Sequence, residues 1–307
     1  MKNQFYFWVE NYLFNPNLLQ KTISFLFLPL SAVYCVFVYF KRALATPKDY
    51  GLPIISIGNL IVGGSGKTPF TIALASRLEN VAIVLRGYKR EGKDLVVVSQ
   101  YGVITAKILR SGDEAMLLAT SLPKATVIVS VDRKEGILKA KSLGAKVILL
   151  DDGFSKSSIK KFDILIKPVF LKNRFCLPSG PYRESFKNYK KADLIVVEDR
   201  DFQREVSITN KTDRMVLVTA ISKPARLDRY LPNSIEKVYY PDHYNYSGTE
   251  LDAILRKYSA DSILTTRKDA VKMKDFLTEL SILELDLVLK PYIYESVNRY
   301  IEDFGEK

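Results

Sequence analysis

The chain has 307 residues, enough for two domains of ordinary size, and its 47 % hydrophobic and 26 % charged content excludes a disordered chain. A formal net charge of +12 draws anions to the surface, whether nucleic acid, an acidic membrane or a phosphorylated substrate. No zinc-finger spacing, helix-turn-helix signature or RNA-binding aromatic motif is found, which sets nucleic acid aside.

The two cysteines, Cys35 and Cys176, lie far apart and show no metal-ligand spacing, so the expectation is a reduced compartment with no disulfide framework. Residues 22–40 form a run of nineteen without a charge, between Lys21 and the pair Lys41 and Arg42. The run just reaches the length of a spanning helix. Three readings stand: a helix dipped into or crossing a membrane, a buried soluble helix, and a signal peptide ending in the trio Ala43, Leu44, Ala45. Cleavage there would export the loop that follows, and a soluble helix would be apolar on every face, so the membrane reading leads. Pro29 favours a kinked or partial insertion, with Lys41, Arg42 and Lys48 at anionic headgroups.

An apolar β-branched run at 54–57 then reads as a buried strand, emptying into a glycine-rich loop and a helical pattern. Gly63, Gly64, Ser65 and Gly66 form a cradle whose N–H groups can turn inward around an anion. Lys67 can reach the outer phosphates, and the Thr68 hydroxyl can hold a magnesium ion. The strict pattern has glycine at its first position, where this chain has Ile61. Beyond the loop, helical and strand patterns alternate: helix 70–78, strand 81–87, a hairpin at 95–98 and 103–108, helix 112–122, strand 126–131, helix 134–142 and strand 147–150. Such alternation predicts βαβ units and a mainly parallel sheet. From 162 the rhythm restarts with strands at 162–166, 192–197, 215–220, 238–240, 262–266 and 282–289, and helices at 249–258, 268–277 and 292–304. The expected class is therefore α/β, a P-loop NTPase-like parallel sheet domain plus a second smaller α/β domain, with an apolar N-terminal helix. The expected division is 1–48 for the N-terminal membrane-associated segment, 49–161 for the P-loop domain and 162–307 for the second. The C-terminal helix is free to pack back on the first domain.

Ligands of open parallel sheets sit at the carboxyl ends of strands, so residues just after apolar runs carry the chemistry. Asp151 and Asp152 follow one such run and suit a nucleotide site with a metal. Asp113 and Glu114 open a helix, where they serve either as caps or as functional carboxylates. Asp132 and Arg133 follow another strand; Arg86, Tyr88, Lys89 and Arg90 follow a third, and basic residues there suit an anionic acceptor. His243, the only histidine, sits among aromatics, where a structural role competes with pairing to a carboxylate. Asn210, Lys211, Thr212 and Asp213 spell the guanine-reading N-K-x-D of GTPases, but follow a polar stretch and read as a turn.

In order along the chain, VGGSGKTP (62–69), RGYKR (86–90), GDE (112–114), DR (132–133), LDDGF (150–154), LPSGPYRE (177–184), PDHYNYS (241–247) and TTRKD (265–269) resemble the tetraacyldisaccharide 4'-kinase family of lipid A biosynthesis. That family has an apolar N-terminal segment and a phosphate loop shifted like this one. The resemblance implies transfer of the γ-phosphate of ATP to the 4'-hydroxyl of an acylated glucosamine disaccharide 1-phosphate, at the cytoplasmic face of the inner membrane. It makes Asp113 the general base and His243 its partner, and gives Lys67 the phosphate. Thr68, Glu114, Asp151 and Asp152 then hold or support Mg2+, and Arg86, Tyr88, Arg133 and Arg183 face the acceptor. The implied partners are that glycolipid and the anionic membrane surface, with no nucleic acid and no obligate protein partner. One departure is that Ser155 and Lys156 stand where the family usually has Gln-His. Two other classes compete: a membrane-associated P-loop NTPase acting on a protein partner, and a basic membrane scaffold with a vestigial nucleotide site.

Overall fold

The computed structural model describes residues 2–63, 66–88, 90–221, 224–232, 235–241 and 244–305. Three helices come first, α1 (Lys2–Phe14), α2 (Leu18–Leu26) and α3 (Leu28–Ala43). Then follow β1 (Ile54–Gly58), α4 (Lys67–Ala75), β2 (Val81–Leu85), β3 (Val96–Gln100), β4 (Val103–Ile104), α5 (Ile108–Ser111), α6 (Asp113–Ser121), β5 (Thr126–Val129), α7 (Arg133–Ser142) and β6 (Val147–Asp151). The remainder comprises β7 (Phe162–Lys167), β8 (Leu194–Val197), β9 (Phe202–Thr209), β10 (Met215–Thr219), β11 (Glu236–Tyr239), α8 (Gly248–Tyr258), β12 (Ser262–Thr266), α9 (Arg267–Met273), β13 (Leu280–Leu289) and α10 (Pro291–Gly305).

The chain divides into two compact units that interleave along the sequence, residues 1–67, 147–202 and 290–307 in one, 68–146 and 203–289 in the other. In the first, four parallel strands run in the order β6-β1-β7-β8. Every residue of β1 and β6 is buried, as expected for parallel strands covered on both faces. The sequence rhythm that restarts at 162 is not a sheet boundary: β7 pairs directly with β1, Ser56 opposite Asp163. Helix α10 belongs to this same unit, and its Tyr300 packs on Phe162 with ring centroids 5.2 Å apart.

The N-terminal segment corrects the expectation of one apolar helix. The run is broken at Phe27 into α2 and α3, which meet at 57°, with Pro29 in the first turn of α3. Proline lacks the N–H that would continue α2 and is tolerated at a helix start, which is why the break falls there. Among the described residues no single helix is long and apolar enough to cross a membrane. The patterning of the pair is inverted. Gln20, Ser24 and Ser31 are buried, whereas Leu26, Leu30, Val33, Val36 and Phe40 are exposed. The buried hydroxyls are satisfied by the 176–179 loop: Ser24 Oγ donates to Ser179 O at 2.6 Å and Ser31 Oγ to Cys176 O at 3.0 Å. The cysteines also depart from expectation, because Cys35 on α3 and Cys176 in that loop are joined as a disulfide, with Cα atoms 6.6 Å apart. Their separation of 141 residues hid the contact; the packing of α3 on the loop creates it.

In the second unit β4-β3-β5-β2 lie in that order, with β3 antiparallel to both neighbours and the expected hairpin turning at Tyr101 and Gly102. A separate sheet runs β11-β10-β12-β13-β9. Its faces are covered by two apolar clusters, one around Val216, Val218, Leu251 and Met273, the other around Leu217, Leu227, Leu264 and Leu283. Edge strand β9, FQREVSIT, was not among the expected strands, since an edge with one wet face carries half its residues polar. The N-K-x-D sequence follows it as a turn, with Asn210 left-handed at φ 52° and Ser281 Oγ donating to the Asn210 carbonyl at 2.7 Å.

Candidate active site

Strand β1 delivers its end to a loop that opens unlike a standard phosphate loop. Val62 N–H donates to Pro181 O at 2.9 Å and Arg183 N–H to Leu60 O at 2.7 Å, so 60–62 run as a short ladder against 181–183. Ile61, at the position where the strict pattern has glycine, is buried with Leu60, Phe154, Leu165 and Tyr182. The side chain there packs rather than turns, and the turning falls to Gly63 and Gly66, at φ 87° and 79°, values glycine adopts without strain. Helix α4 starts at Lys67, so the lysine and the first turn's N–H groups face the same loop. Gly64 and Ser65 lie outside the described residues.

The D-D-G-F run at the end of β6 lies beside this loop. Ile57 pairs with Asp151, and Asp152 N–H donates to Ile57 O at 2.9 Å. Asp152 is left-handed at φ 56°, and its carboxylate meets Arg183 and Lys67. Gly153 makes that turn possible: a Cβ there would lie 2.6 Å from Leu150 Cβ and 2.9 Å from Ser56 Cβ. Asp151 is only 4 % exposed.

Four side chains converge on the corner. Arg183 holds Asp152 with both carboxylate oxygens at 2.9 Å and donates to Asn59 Oδ1 at 2.6 Å. Lys67 Nζ donates to Asn59 Oδ1 at 3.2 Å and stands 3.8 Å from Asp152 Oδ1. Burial disfavours the Arg183 charge, but the hydrogen bonds it donates to Asp152, together with the charge of that carboxylate, help to offset this, and its pKa is raised overall. Asn59, the first residue after the β1 run, was not among the expected site residues; its position at a strand's carboxyl end was the available signal. Two cations on one carboxylate and one amide make a site for an oxyanion with several charges.

A cavity of about 320 Å3 adjoins this corner, lined among others by Tyr34, Phe37, Lys41 and Arg42 of α3, by Ser155 and by Arg183. Arg42 stacks on Phe154, 4.0 Å from the ring centre, and pairs with Glu184 at 3.0 Å. Ser155, where the resembled family has Gln, therefore borders the cavity as a short exposed hydroxyl.

In the second unit Asp113 is the first residue of α6, and its Oδ2 is 2.7 Å from Lys272 Nζ. Glu114 beside it is half-buried, as is Thr68 on α4. Arg86 and Tyr88 follow β2 and are exposed. Arg133, expected to face an acceptor, is 4 % exposed and its Nη1 donates to Ser130 O at 2.8 Å. Asp132 caps α7 through Lys134 N–H. His243 lies outside the described residues. On its C-terminal side, Tyr244 and Tyr246 pack with Tyr240 at centroid distances of 4.3 to 5.5 Å. Tyr246 donates at 3.2 Å to Asp269, a fully buried carboxylate that also accepts from Thr219, Thr266 and the Ala220 N–H. Burial, and then the Asp269 charge, push the Tyr246 phenol up.

Among the described residues no group of three or more His, Cys, Asp or Glu side chains forms a metal cage. A hard cation held by one or two carboxylates and completed by phosphate oxygens needs none. The Thr68 hydroxyl and the Asp151, Asp152 and Glu114 carboxylates are oxygen donors of the kind Mg2+ takes.

A strand, a glycine-turned loop and a helix opening on lysine, beside a strand ending in paired aspartates, define an α/β protein of the P-loop nucleotide-binding class. Residues 23–302 match the family model for tetraacyldisaccharide-1-P 4'-kinase, and the chain belongs to that family. A tetraacyldisaccharide 4'-kinase of Aliarcobacter butzleri is 50 % identical, with 99 % of this chain and all of the relative covered. Those of Helicobacter pylori and Campylobacter jejuni are 48 % and 44 % identical, with 94 % or more of each chain covered. A crystal structure of LpxK from Aquifex aeolicus, in complex with ATP, superposes with a TM-score of 0.77 at 28 % identity, covering 91 % of this chain and 99 % of that one.

Proposed function

We propose that this chain transfers the γ-phosphate of ATP to the 4'-hydroxyl of an acylated glucosamine disaccharide 1-phosphate, working at the cytoplasmic face of the inner membrane. The observation that carries the reading is the family match along nearly the whole chain, joined to the Lys67, Arg183 and Asp152 corner at the phosphate loop.

Phosphoryl transfer asks a protein mainly to align the reactants and neutralise charge. Lys67 and the loop 63–68 hold the phosphates, and Arg183 reaches both this corner and the adjoining cavity. Thr68, Asp151, Asp152 and Glu114 carry the oxygen atoms that would hold Mg2+, which would supply charge neutralisation for the phosphates. Asp113 accepts the proton of the sugar hydroxyl as it attacks, with His243 as its partner. Arg86 and Tyr88, exposed after β2, face the acceptor, whereas Arg133 is buried at the start of α7 and donates to Ser130 O.

The inverted helices support the membrane location. A helix pair that buries serines and exposes leucine, valine and phenylalanine has its apolar face turned to its surroundings, and each such side chain is worth about 1.5–3 kcal/mol when taken out of water. Lys41 and Arg42, at the end of α3 and beside the cavity, suit a headgroup that carries phosphate. Incubation with ATP, Mg2+ and the disaccharide 1-phosphate in detergent tests the reading: a bisphosphorylated disaccharide is expected, and ATP hydrolysis without phosphorylated lipid would overturn it.

A further inference from the structure

We infer that Lys272 is a positioning residue for Asp113. Lys272 lies on α9, and its side chain is only 5 % exposed; a lysine so buried is costly unless its charge is met. Among the described residues its ammonium meets two acceptors, Asp113 Oδ2 at 2.7 Å and the Tyr244 carbonyl at 3.2 Å. One cation thus ties the first residue of α6 to the backbone next to position 243. The same helix makes a second tie to that loop, because Asp269 accepts from the Tyr246 hydroxyl at 3.2 Å. Asp269 is itself fixed by Thr219, Thr266 and the Ala220 N–H, so α9 is anchored to the ends of β10 and β12.

The consequence for chemistry is geometric. A carboxylate at a helix start can swing about two torsions, and a base that swings spends little time aligned with its proton donor. Lys272 removes that freedom by a short charge-assisted bond to one carboxylate oxygen. Lys272 acts through Asp113. The inference rests on Asp113 being the base, as proposed above.

The test uses the full chain in detergent with the disaccharide 1-phosphate as acceptor. K272M is expected to lower kcat about 10- to 100-fold while the KM for ATP stays within about twofold, and K272R, which keeps the charge and the donors, to restore most of the lost kcat. An unchanged kcat in folded K272M, or a raised KM for ATP with kcat intact, would overturn the positioning role. Should K272M not be recovered soluble, K272Q keeps a donor for the same reading; insolubility of both would show a pair that serves the fold alone and would also overturn it. D113A, run alongside, separates the two proposals. If D113A keeps turnover, Asp113 is not the base; if D113A is dead while K272M is fully active, the base stands and Lys272 has no part in it.

Discussion

Two lysine–aspartate pairs invite comparison. Lys67 stands 3.8 Å from Asp152, whose side chain is 42 % exposed and shared with Arg183, whereas Lys272 is 2.7 Å from Asp113 and both are nearly buried. A loose, partly hydrated pair contributes little to stability and is easily exchanged for another anion. A short buried pair is costly to break, because separation leaves a charge without solvent. The lysine that has to receive phosphate is therefore held loosely, and the lysine that has to hold a carboxylate is held tightly.

Substitutions can break this contrast, and the largest effect is expected at the loose lysine. K67A removes the cation that meets the transferred phosphate and should lower kcat/KM by about 1000-fold, with thermal stability nearly unchanged because the pair stabilised little. Retained activity in a steady-state assay would remove Lys67 from the phosphate site. D113A should cost about 100- to 10,000-fold in kcat with ATP affinity preserved, and it should also unfold at a lower temperature, since Lys272 is left buried without that carboxylate. Calorimetry on K67A and D113A side by side thus reads the difference between the pairs directly.

Smaller effects sharpen it. R183K keeps one charge but loses the fork that holds both oxygens of Asp152, and about a 10- to 100-fold loss in kcat/KM is expected. On the inverted helices, L26E with V33E should move the protein from anionic vesicles to the supernatant in a sedimentation assay. Turnover of detergent-dispersed acceptor should stay within a few-fold, because neither side chain touches the corner; unchanged vesicle binding would refute the docking face. Least of all, D213A in the N-K-x-D turn should alter neither the ATP over GTP preference in a competition assay nor stability beyond about 0.5 kcal/mol.

What could be read in the sequence was whatever is local. The phosphate loop, the D-D-G-F turn, the hairpin at Tyr101 and Gly102 and most strands are written in contiguous residues, so periodicity and turn chemistry expose them. Pro29 likewise marked a break in the apolar run. What stayed hidden is made by contacts between distant segments: Asn59 under Arg183, Arg42 on Phe154, the Cys35–Cys176 bond and Lys272 against Asp113. The burial of Ser24 and Ser31 is a further case, since a serine in an apolar helix looks incidental until a loop some 150 residues away supplies its acceptors. The boundary expected at 162 failed for a related reason. Rhythm reports that a strand exists, while its partner is chosen by the sheet, and β7 chose β1.

The central event is the transfer of a phosphate from ATP to a sugar hydroxyl. With γ-labelled ATP, Mg2+ and the acylated disaccharide 1-phosphate dispersed in detergent, the label should appear in a lipid one phosphate heavier, attached at the 4'-position. The same label released wholly as inorganic phosphate, with the lipid unchanged under conditions where ATP turns over, would contradict it.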